Sequence, residues 1–571
     1  MVPEELAAGG SGVAGSSVSA RTVVLLTDLA LIVASAALFS FSFPSVLSDR
    51  GWFPLAYISL VPMFLVVRRS GWSTVWLYGA LYGFLTYSLF NYWLLNFHPL
   101  AIFIVPLIYA VYFLILFPLL KLADVLFPRY GYLLQLALWV AYEYLRLQGF
   151  LGYAYGIIGY SQYLFTPLVQ LAAVTGVWGV STLVVFPSAF IARGIDGGRR
   201  DRTDGADGGA GLRGAGARLA GFASGHRWEV LAYILAMGAA LGYGALGSVN
   251  DAAAPRWRVA MVQQNIDPWR GGIEAYRDSL DALIRQSEAA LAEAPDVVVW
   301  SETSFVPAVE YHSRYRPDPE VFELVGELRA YLAAQEVPFV IGNGDAELSR
   351  NLDGDLERVD YNAVLLHSDG EFRAVYRKLH LVPFTEHFPY EDTFPWFHQL
   401  LVENDTTFWE AGEEYTIFET DGVRFATPIC FEDTFGYLSR GFVRRGAEVI
   451  VNLTNDGWSY SVPAQMQHMA MAVFRAAENR RSVIRSTNSG MTTVIDPNGR
   501  IEAMLDPFVE GYLVADVPVY TERTTFYTRF GNWFAWIALV LSAAGLVWGV
   551  IRLTVAGGSE RITTKGTSHG R

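Results

Sequence analysis

The chain has very little cysteine, with Cys430 alone among 571 residues. A single cysteine allows no disulfide within the chain, so a disulfide-stapled scaffold is excluded and the redox compartment stays open. The nine histidines show no ligand spacing such as His-x-x-x-His, so no zinc site is predicted, and we expect no metal and no cofactor. A reactive thiol in this chain would have no resident partner for oxidation.

Charged residues are also scarce, at 17%, whereas apolar residues reach 52% and aromatic residues 14%. This imbalance predicts a membrane protein. The net charge of −14 argues against nucleic acid as a partner, because binding to phosphates needs a basic face. The length predicts at least two structural units.

The chain contains several long apolar runs. A helix that crosses the hydrocarbon core needs about 20 largely apolar residues. We predict seven spans before residue 250 and one after residue 530, at 23–43, 52–67, 72–95, 100–120, 132–147, 167–191, 230–247 and 533–551. The predicted organisation is a polar N-terminal segment (1–21), a polytopic α-helical membrane domain (22–250), a C-terminal transmembrane helix (532–552) and a cytoplasmic tail (553–571). The total is therefore about eight spans.

Lysine and arginine placement predicts the orientation. With a cytoplasmic N-terminus, the basic residues gather in the inside loops and the tail, at Arg68, Arg69, Lys121, Arg129, Arg193, Arg199, Arg200, Arg202, Arg213, Arg218, Arg227, Arg552, Arg561, Lys565 and Arg571. The Gly/Arg/Asp-rich stretch at about 194–225 is expected to be a disordered cytoplasmic loop rather than a nucleic-acid site. After seven crossings, the segment 256–520 is predicted to lie outside the cytoplasm.

That segment alternates strand-like and helical patterns, which predicts an α/β domain built as an αββα sandwich. The expected strands are 259–263, 297–300, 339–341, 364–366, 423–429, 449–453 and 482–486, and the expected helices are near 273–292, 321–334 and 465–478. Asp-Gly at 369–370 and 421–422 and Pro-Asn-Gly at 497–499 are turn signals that link hairpin strands.

Cys430 ends one strand-like run, Glu302 closes another, and Lys378 ends a third. A lone cysteine is more often an inert small hydrophobe. In this context, however, Glu302 can act as the base for the thiol, and Lys378 can stabilise the thiolate or an oxyanion. The backbone N–H of Phe431 is a second oxyanion donor. The pattern predicts thiol acyl-transfer chemistry.

Two further features lie near these residues in the sequence. Glu386 sits in a Pro-flanked apolar loop, where an unpaired carboxylate is costly, so we expect it to pair with Lys378 or orient it. The segment 394–401 contains Trp396 and Phe397 and is apolar enough to be a membrane-dipping gate. Ordinary loop packing is the alternative for that segment.

Read together, these stretches resemble the carbon–nitrogen hydrolase (nitrilase) superfamily with its Glu-Lys-Cys triad. With eight spans, the chain resembles the bacterial apolipoprotein N-acyltransferase family. The motifs that carry the resemblance are Trp300–Thr303, Lys378–Glu386, Cys430–Glu432, Asn455–Trp458, Gln467–His468, Arg485–Gly490, Glu143–Arg146, Gly159–Gln162 and Gly176–Ser181. The chain departs from the family pattern at Thr385, where glycine is usual, and at Phe431, where tyrosine is usual.

The resemblance implies the last step of lipoprotein maturation, carried out in the bacterial inner membrane. Cys430 would take a fatty acyl chain from a membrane phospholipid as a thioester and pass it to the amine of the S-diacylglyceryl cysteine of an apolipoprotein. Glu302 would be the base, and Lys378 with the Phe431 amide would hold the oxyanion. Glu386, Glu432 and Trp458 would support the site or position the substrate.

Two other hypotheses about function are compatible with the same residues. The same triad would serve a membrane-tethered amidase or nitrilase that hydrolyses a small amide, or the domain would be idle within a membrane scaffold. The charged residues Asp28, Glu143 and Arg146 would suit transport. Glu143 and Arg146 lie one helical turn apart, however, and are expected to pair locally.

Overall fold

The protein is described here from a computed structural model that covers residues 20–97, 100–196, 212–350, 354–403 and 408–566. Its N-terminal part is helical. The helices are α1 (Ala20–Phe41), α2 (Ala56–Ser59), α3 (Val61–Arg69), α4 (Val75–Phe90), α5 (Leu94–Phe97), α6 (Ala101–Leu126), α7 (Gly131–Leu145), α8 (Thr166–Val169), α9 (Ala172–Thr175), α10 (Val177–Asp196), α11 (Leu212–Gly225) and α12 (Arg227–Leu246).

Within the described residues, five helices are long and apolar enough to cross a membrane. They are Arg21–Phe41, Ala101–Leu126, Val177–Asp196, Arg227–Leu246 and Trp533–Val555. The protein is thus a membrane protein with several candidate spans. Each of the five coincides with one of the eight predicted spans, and the helix at the C-terminus continues beyond its span, to Gly566.

The other three predicted spans form shorter helices. The second span is broken into a 3₁₀ turn (Phe53–Leu55), α2 and α3, because prolines at 54 and 62 each remove a backbone donor. The third and fifth spans become α4 with 16 residues and α7 with 15 residues. The count of eight therefore stays a prediction.

The expectation of disorder at 194–225 is wrong for the part that the structure describes. Residues Leu212–Gly225 form α11, and α10 extends to Asp196; residues 197–211 lie outside the described residues. The reason is a short apolar stripe hidden in the Gly/Arg-rich composition, where Leu219 and Phe222 are one helical turn apart. Phe222 packs against Phe190 of α10, with ring centroids 5.0 Å apart.

The second part of the chain has two six-stranded sheets. The strands are β1 (Arg256–Gln263), β2 (Val297–Trp300), β3 (Phe339–Arg350), β4 (Leu356–Ser368), β5 (Glu371–Arg377), β6 (Phe418–Thr420), β7 (Val423–Ala426), β8 (Val449–Thr454), β9 (Ser482–Thr487), β10 (Thr493–Ile495), β11 (Ile501–Met504) and β12 (Gly511–Pro518). One sheet has the order β12-β1-β2-β3-β4-β5 and the other β11-β10-β9-β8-β7-β6. In each sheet three neighbouring strands are parallel, β1-β2-β3 and β7-β8-β9.

The remaining helices follow β1 in the chain, and all of them except α20, which contains a candidate membrane span, belong to the second part of the chain. They are α13 (Ile273–Leu291), α14 (Val309–Tyr315), α15 (Pro319–Ala333), α16 (Pro395–Val402), α17 (Gly436–Arg444), α18 (Val462–Asn479), α19 (Phe526–Phe530) and α20 (Trp533–Gly566). The predicted helices at 273–292, 321–334 and 465–478 are confirmed as α13, α15 and α18.

Side-chain alternation along the strands creates the layers, since successive residues point to opposite faces of a sheet. In β2, Val297 and Val299 belong to the core between the two sheets, whereas Val298 and Trp300 belong to the core beneath α13 and α15. Side chains also alternate between two cores in the other sheet. Ile450 of β8, for example, belongs to a core shared with α18 and the membrane helices. The predicted αββα sandwich is confirmed.

Two of the hairpin turns follow the predicted signals closely. Asp369-Gly370 joins β4 to β5 with φ values of 53° and 78°, and Asp421-Gly422 joins β6 to β7 with φ values of 51° and 76°. Two successive left-handed residues form the turn whose twist suits an antiparallel hairpin, and Asp-Gly is a favoured pair for it.

The sandwich is docked on the membrane helices through α18 and the loop before it. Gln467 accepts a hydrogen bond from Trp93 Nε1 at 3.1 Å and donates to the carbonyl oxygen of Pro44 at 2.8 Å. Asn96 Nδ2 donates to the carbonyl oxygen of Ser459 at 2.9 Å. The turn after α4 and the short helix α5 thus lie against the sandwich.

Candidate active site

Three strand ends bring the predicted triad together. Glu302 follows β2, Lys378 directly follows β5, and Cys430 begins a 3₁₀ helix (Cys430–Thr434) after β7. Lys378 lies 3.5 Å from Glu302, and the charges of both act on the Cys430 thiol.

Glu302 is held by donors on both of its oxygens. Oε1 accepts from Asn362 Nδ2 at 2.8 Å, and Oε2 accepts from the backbone N–H of Asn455 at 2.9 Å. Gly342 of β3 leaves the space for this loop, because a Cβ there would lie 2.2 Å from the carbonyl oxygen that precedes Glu302. The carboxylate is 6% exposed and is fixed in one orientation.

Lys378 is completely buried between two carboxylates. Its Nζ lies 2.8 Å from Glu386 Oε1, and the other oxygen of Glu386 accepts from the backbone N–H of Val382 at 2.8 Å. Burial disfavours the ammonium, but the charges of Glu386 and Glu302 outweigh burial and raise the pKa of Lys378. The residue therefore stays charged, and the geometry agrees with the predicted pairing of Glu386 with Lys378.

Cys430 is half-buried and has a φ of 49°, in the left-handed region that a non-glycine residue seldom adopts. Such strain at a strand-to-helix turn is typical of reactive nucleophiles. Burial and the charge of Glu302 raise the pKa of the Cys430 thiol well above its ordinary value, although the ammonium of Lys378 and the hydroxyl of Thr454 oppose this. The resting thiol is protonated, so Cys430 would need an adjacent base to take its proton in order to act as a nucleophile.

Glu432 connects the nucleophile turn to the Lys378 loop. Its Oε2 accepts from the backbone N–H of Ile429 at 2.7 Å. Its Oε1 accepts from the N–H groups of Leu379 and His380 at 2.8 and 2.9 Å, and Tyr376 Oη donates to the same carboxylate. Burial raises the pKa of Glu432 to about 7, against the opposing effect of these donors. Its contacts are those of a positioning group, since all of its partners lie beside the triad rather than on it.

An apolar cavity opens next to the nucleophile turn. It encloses about 730 Å³, part of it open to the outside. Phe431 forms the wall nearest the turn. The remaining lining comes from the membrane helices and their loops, from the loop that carries Glu386 and from α16, at Leu94, Ala101, Ile104, Val105, Ile108, Tyr109, Leu151, Gly152, Tyr153, Val382, Pro383, Phe384, Thr385 and Leu401. The cavity is thus built jointly by the two parts of the chain.

The other predicted supporting residues lie further out. Trp458 packs on Trp93, with ring centroids 5.6 Å apart, and so contributes to docking on the membrane helices. Trp396 of α16 is 67% exposed. Phe397 is half-buried and packs edge-on against Phe388 at 5.4 Å.

The charged residues of the membrane part have structural partners. Glu143 accepts from Trp139 Nε1 at 3.1 Å and from the backbone N–H of Ile158 at 2.8 Å. Arg146 donates to the hydroxyl of Tyr109 at 2.6 Å. The charges of Glu143 and Arg146 interact, as expected, but these hydrogen bonds are made with other groups rather than with each other.

Within the described ranges, the one group of acidic side chains that could hold a cation is Asp251, Asp496 and Glu502, whose oxygens lie within 4.8 Å of one another. It includes the turn between β10 and β11, on the opposite edge of its sheet from β6 and β7. Asp496 already accepts from the N–H groups of Asn498 and Arg500 at 2.8 and 2.7 Å. This group is remote from the triad in the fold.

Two side chains of the site, Asn362 and Tyr376, were given no role from the sequence, and Asn455 was noted only as part of the Asn455–Trp458 motif. Asn362 and Asn455 orient Glu302, and Tyr376 donates to Glu432. Asn362 carried a usable signal, because it is a polar residue at the start of the apolar run of β4. The role of Asn455 belongs to its backbone, which no side-chain pattern reveals.

Comparison with known proteins agrees with this architecture. The carbon–nitrogen hydrolase family model matches residues 258–526, and the apolipoprotein N-acyltransferase N-terminal domain model matches residues 35–190. The chain is 42% identical over 547 residues to "Apolipoprotein N-acyltransferase 1" of Treponema denticola, covering 93% of this chain and 98% of that protein. It is also 42% identical over 535 residues to the protein of the same name in Treponema pallidum, covering 92% and 96%. Among solved structures, Nit3 of Saccharomyces cerevisiae, of the nitrilase superfamily, aligns with 48% of this chain and 93% of its own at 21% identity and a TM-score of 0.33.

The αββα domain and its family match define the carbon–nitrogen hydrolase class of enzyme. Helices that can cross a membrane accompany that domain. Within the class, the chain belongs to the apolipoprotein N-acyltransferase family, the enzymes that N-acylate lipoproteins.

Proposed function

We propose that Cys430 carries the acyl chain as a thioester, with Glu302 as the proton-transfer group and Lys378 as the oxyanion partner. The observation that carries this proposal is the convergence of the three residues beside an apolar cavity that membrane helices help to form. The lipoprotein substrate follows from the family. The phospholipid donor is part of the proposal.

In the first half-reaction, the sulfur of Cys430 attacks the ester carbonyl carbon of a phospholipid while Glu302 takes the thiol proton. The tetrahedral oxyanion is stabilised by Lys378 and the backbone N–H of Phe431. The ester C–O bond then breaks, Glu302 returns the proton to the leaving alkoxide, and a lysophospholipid departs. The acyl group remains on sulfur.

In the second half-reaction, the α-amine of the S-diacylglyceryl cysteine attacks the thioester carbonyl. The C–N bond forms and the C–S bond breaks, and Glu302 moves the amine proton to the sulfur. Cys430 is regenerated, so the cycle needs no further reagent. This is covalent catalysis with two substrates that bind in turn.

The apolar cavity is the proposed binding site of the acyl chain. Among the described residues, none that lines the cavity carries a charge, and Phe431 brings the cavity to the residue next to the proposed nucleophile. Water would hydrolyse a thioester, so a lining of this kind favours transfer over hydrolysis. A membrane-tethered amidase for small soluble amides would have no use for such a cavity.

The finer topology, with about eight spans and an extracytoplasmic catalytic domain, is also part of the proposal. Arg68 lies near Asp196 at 3.4 Å, and Arg193 donates to the carbonyl oxygen of Pro128 at 3.0 Å, so the arginine-rich ends of α3 and α10 gather together. Asn96 of α5, which follows α4, contacts the sandwich instead. The positive-inside bias then supports a sandwich on the outer side.

We also propose that α16 acts as the lipid-facing gate. Trp396 is exposed, whereas Leu401 of the same short helix lines the cavity, so α16 connects the cavity wall with the outside. Phe397 anchors the helix against Phe388. A tryptophan that is exposed in this way suits the interface between lipid and water.

Mass spectrometry of the purified protein after incubation with phospholipid tests the proposal. We expect a fatty-acyl mass on the Cys430 peptide, lost when a diacylglyceryl lipopeptide is added, with the acyl group recovered on the lipopeptide amine. The Cys430→Ala variant is the control and should gain no acyl mass. An adduct that decays equally fast without the lipopeptide would favour the hydrolase, and absence of any adduct would refute Cys430 as the acyl carrier.

A further inference from the structure

Behind the nucleophile turn lies a cluster of four ionisable residues that takes no part in the steps above. The His468 cluster consists of His468, Asp433, Asp456 and Arg485, and none of them is more than 2% exposed. His468 Nδ1 lies 2.8 Å from Asp456 Oδ1, and His468 Nε2 lies 3.0 Å from Asp433 Oδ1. Arg485 contacts the second oxygen of each aspartate, at 3.0 Å from Asp456. Each cation therefore bridges both carboxylates.

The cluster joins the turn that begins at Cys430 to the loop whose backbone holds the Glu302 carboxylate. Asp433 belongs to the 3₁₀ helix that begins at Cys430. Asp456 follows Asn455, whose backbone N–H holds the Glu302 carboxylate at 2.9 Å. A shift of either aspartate would move the nucleophile relative to its base.

The geometry also defines the charge of His468. Nδ1 is hydrogen-bonded to Asp456 Oδ1, and Nε2 lies 3.0 Å from Asp433 Oδ1 in an ion-pair contact that lacks hydrogen-bond geometry. Two carboxylates, which can only accept, flank the ring in this way and favour the imidazolium form. Arg485 Nη2 lies 3.2 Å from Nδ1 and opposes this charge. Burial also lowers the pKa of His468, but the two aspartates outweigh both effects and raise it to about 9.

With His468 charged, two cations balance two carboxylates and the cluster is neutral. Without that proton, the cluster carries one net negative charge close to the sulfur. Its field reaches the nucleophile, because the charge of Asp456 raises the pKa of Cys430 and Arg485 also interacts with that thiol. Tyr155, whose ring lies 6.0 Å from the imidazole, is the titratable group that faces the cluster from the membrane part.

We propose that His468, as an imidazolium, is a positioning residue for acyl transfer: it fixes the nucleophile turn against the loop that holds Glu302, and it keeps the cluster neutral so that the thiolate can form. This inference rests on the proposed roles of Cys430 and Glu302. It adds a group that acts through its neighbours and touches no substrate.

The test compares the full-length protein with His468→Gln in detergent, using two readouts. One is the rate at which iodoacetamide alkylates the sole cysteine at neutral pH, and the other is the rate of acyl-thioester formation from phospholipid. We expect both rates to fall at least about tenfold, as for a change of one pKa unit at the thiol. His367→Gln, a buried histidine on β4, is the matched control and should change neither rate.

Charge rescue separates this role from a packing role. In His468→Gln with Asp433→Asn, one carboxylate balances Arg485 again, so the double variant should recover most of the lost rate. A packing role predicts a double variant worse than the single one. In the wild type, acyl-thioester formation should decline as the pH rises through about 9, the pKa of His468.

The outcomes decide the two proposals separately. Unchanged rates in a folded His468→Gln variant, or a double variant slower than the single, would overturn the role of His468. If His468→Gln does not fold, the wild-type profile decides, and a rate that does not decline above pH about 9 overturns the inference. If the wild type forms no acyl adduct at all, the proposed function is refuted. The comparison of alkylation rates between the wild type and His468→Gln then decides whether His468 influences the thiol.

Discussion

Replacing Lys378 by methionine tests the charge balance of the triad most directly. Methionine keeps the length of the side chain and removes the charge. In the native site, the ammonium lies 2.8 Å from Glu386 and 3.5 Å from Glu302, and it is fully buried. Without it, two carboxylates that already repel each other are left in a closed site.

The cost follows from the chemistry of buried ion pairs. Removing one partner of such a pair costs about 3–5 kcal/mol, because the other charge stays buried without compensation. At the 2–4 °C per kcal/mol typical of domains of 150–250 residues, Tm should fall by roughly 6–20 °C. The loss should be smaller at low pH. Burial and the charge of Glu302 raise the pKa of Glu386 above its ordinary value of 4.5, and the variant lacks the ammonium that opposes this, so stability is present below that value and is lost as the pH rises through the folded-state pKa of Glu386.

Thermal unfolding in detergent, with acyl-adduct formation as the activity readout, provides the assay. Adding Glu386→Gln to Lys378→Met should restore most of the Tm and none of the activity, because the repulsion is gone but the oxyanion partner is still missing. Arg373→Met, which removes an exposed charge from β5, the strand before Lys378, is the control and should change stability by about 0.5 kcal/mol or less. A Lys378→Met variant as stable as the control, or a double variant no more stable than the single, would refute the reasoning.

Three other changes give distinct outcomes. Gly342→Ala should abolish activity and lower the yield of folded protein in size-exclusion chromatography, because its Cβ would lie 2.2 Å from a backbone oxygen; Gly326→Ala, with open space around it, should leave both unchanged. Serine at both Trp396 and Phe397 should slow acylation of the enzyme by phospholipid vesicles but not by a short-chain soluble ester, and equal slowing with both donors would contradict a gate. Glu432→Gln should lose at least one buried hydrogen bond, costing about 1–3 kcal/mol in thermal unfolding and slowing adduct formation. A Glu432→Gln variant with unchanged thermal stability and an unchanged rate of adduct formation would contradict the positioning role of Glu432.

Much of the sandwich was predictable because its strands are short apolar runs that end at turns. β2 was predicted with its observed bounds, and both Asp-Gly hairpins were found. β7 is shorter than expected, ending at Ala426, because Pro428 has no N–H to donate to a neighbouring strand. The edge strands β11 and β12 were not predicted, since their half-buried residues carry a weak apolar pattern.

The membrane part was harder to predict because hydropathy does not register breaks in a helix. Gly176, with a φ of 65°, separates α9 from α10 inside what looked like one span. In the site, the residue types of the triad and Glu386 were predictable from their strand-end context. The hydrogen bonds that Glu432 accepts from the Lys378 loop could not be predicted. Their donors are backbone groups about fifty residues away in the chain, and only the fold brings them together.

The proposed triad and the apolar cavity depend on different parts of the fold. A buried acid, a buried ammonium and a strained thiol need only the sandwich, and every contact that fixes Glu302 and Lys378 comes from it. The cavity needs both parts, since Ile108 of α6 and Val382 of the Lys378 loop face the same space. A sandwich of this kind without membrane helices would leave that side of Phe431 open to water, and water competes for a thioester. We therefore infer that the membrane helices do more than anchor the domain: they supply the dry wall that directs the proposed thioester towards an amine.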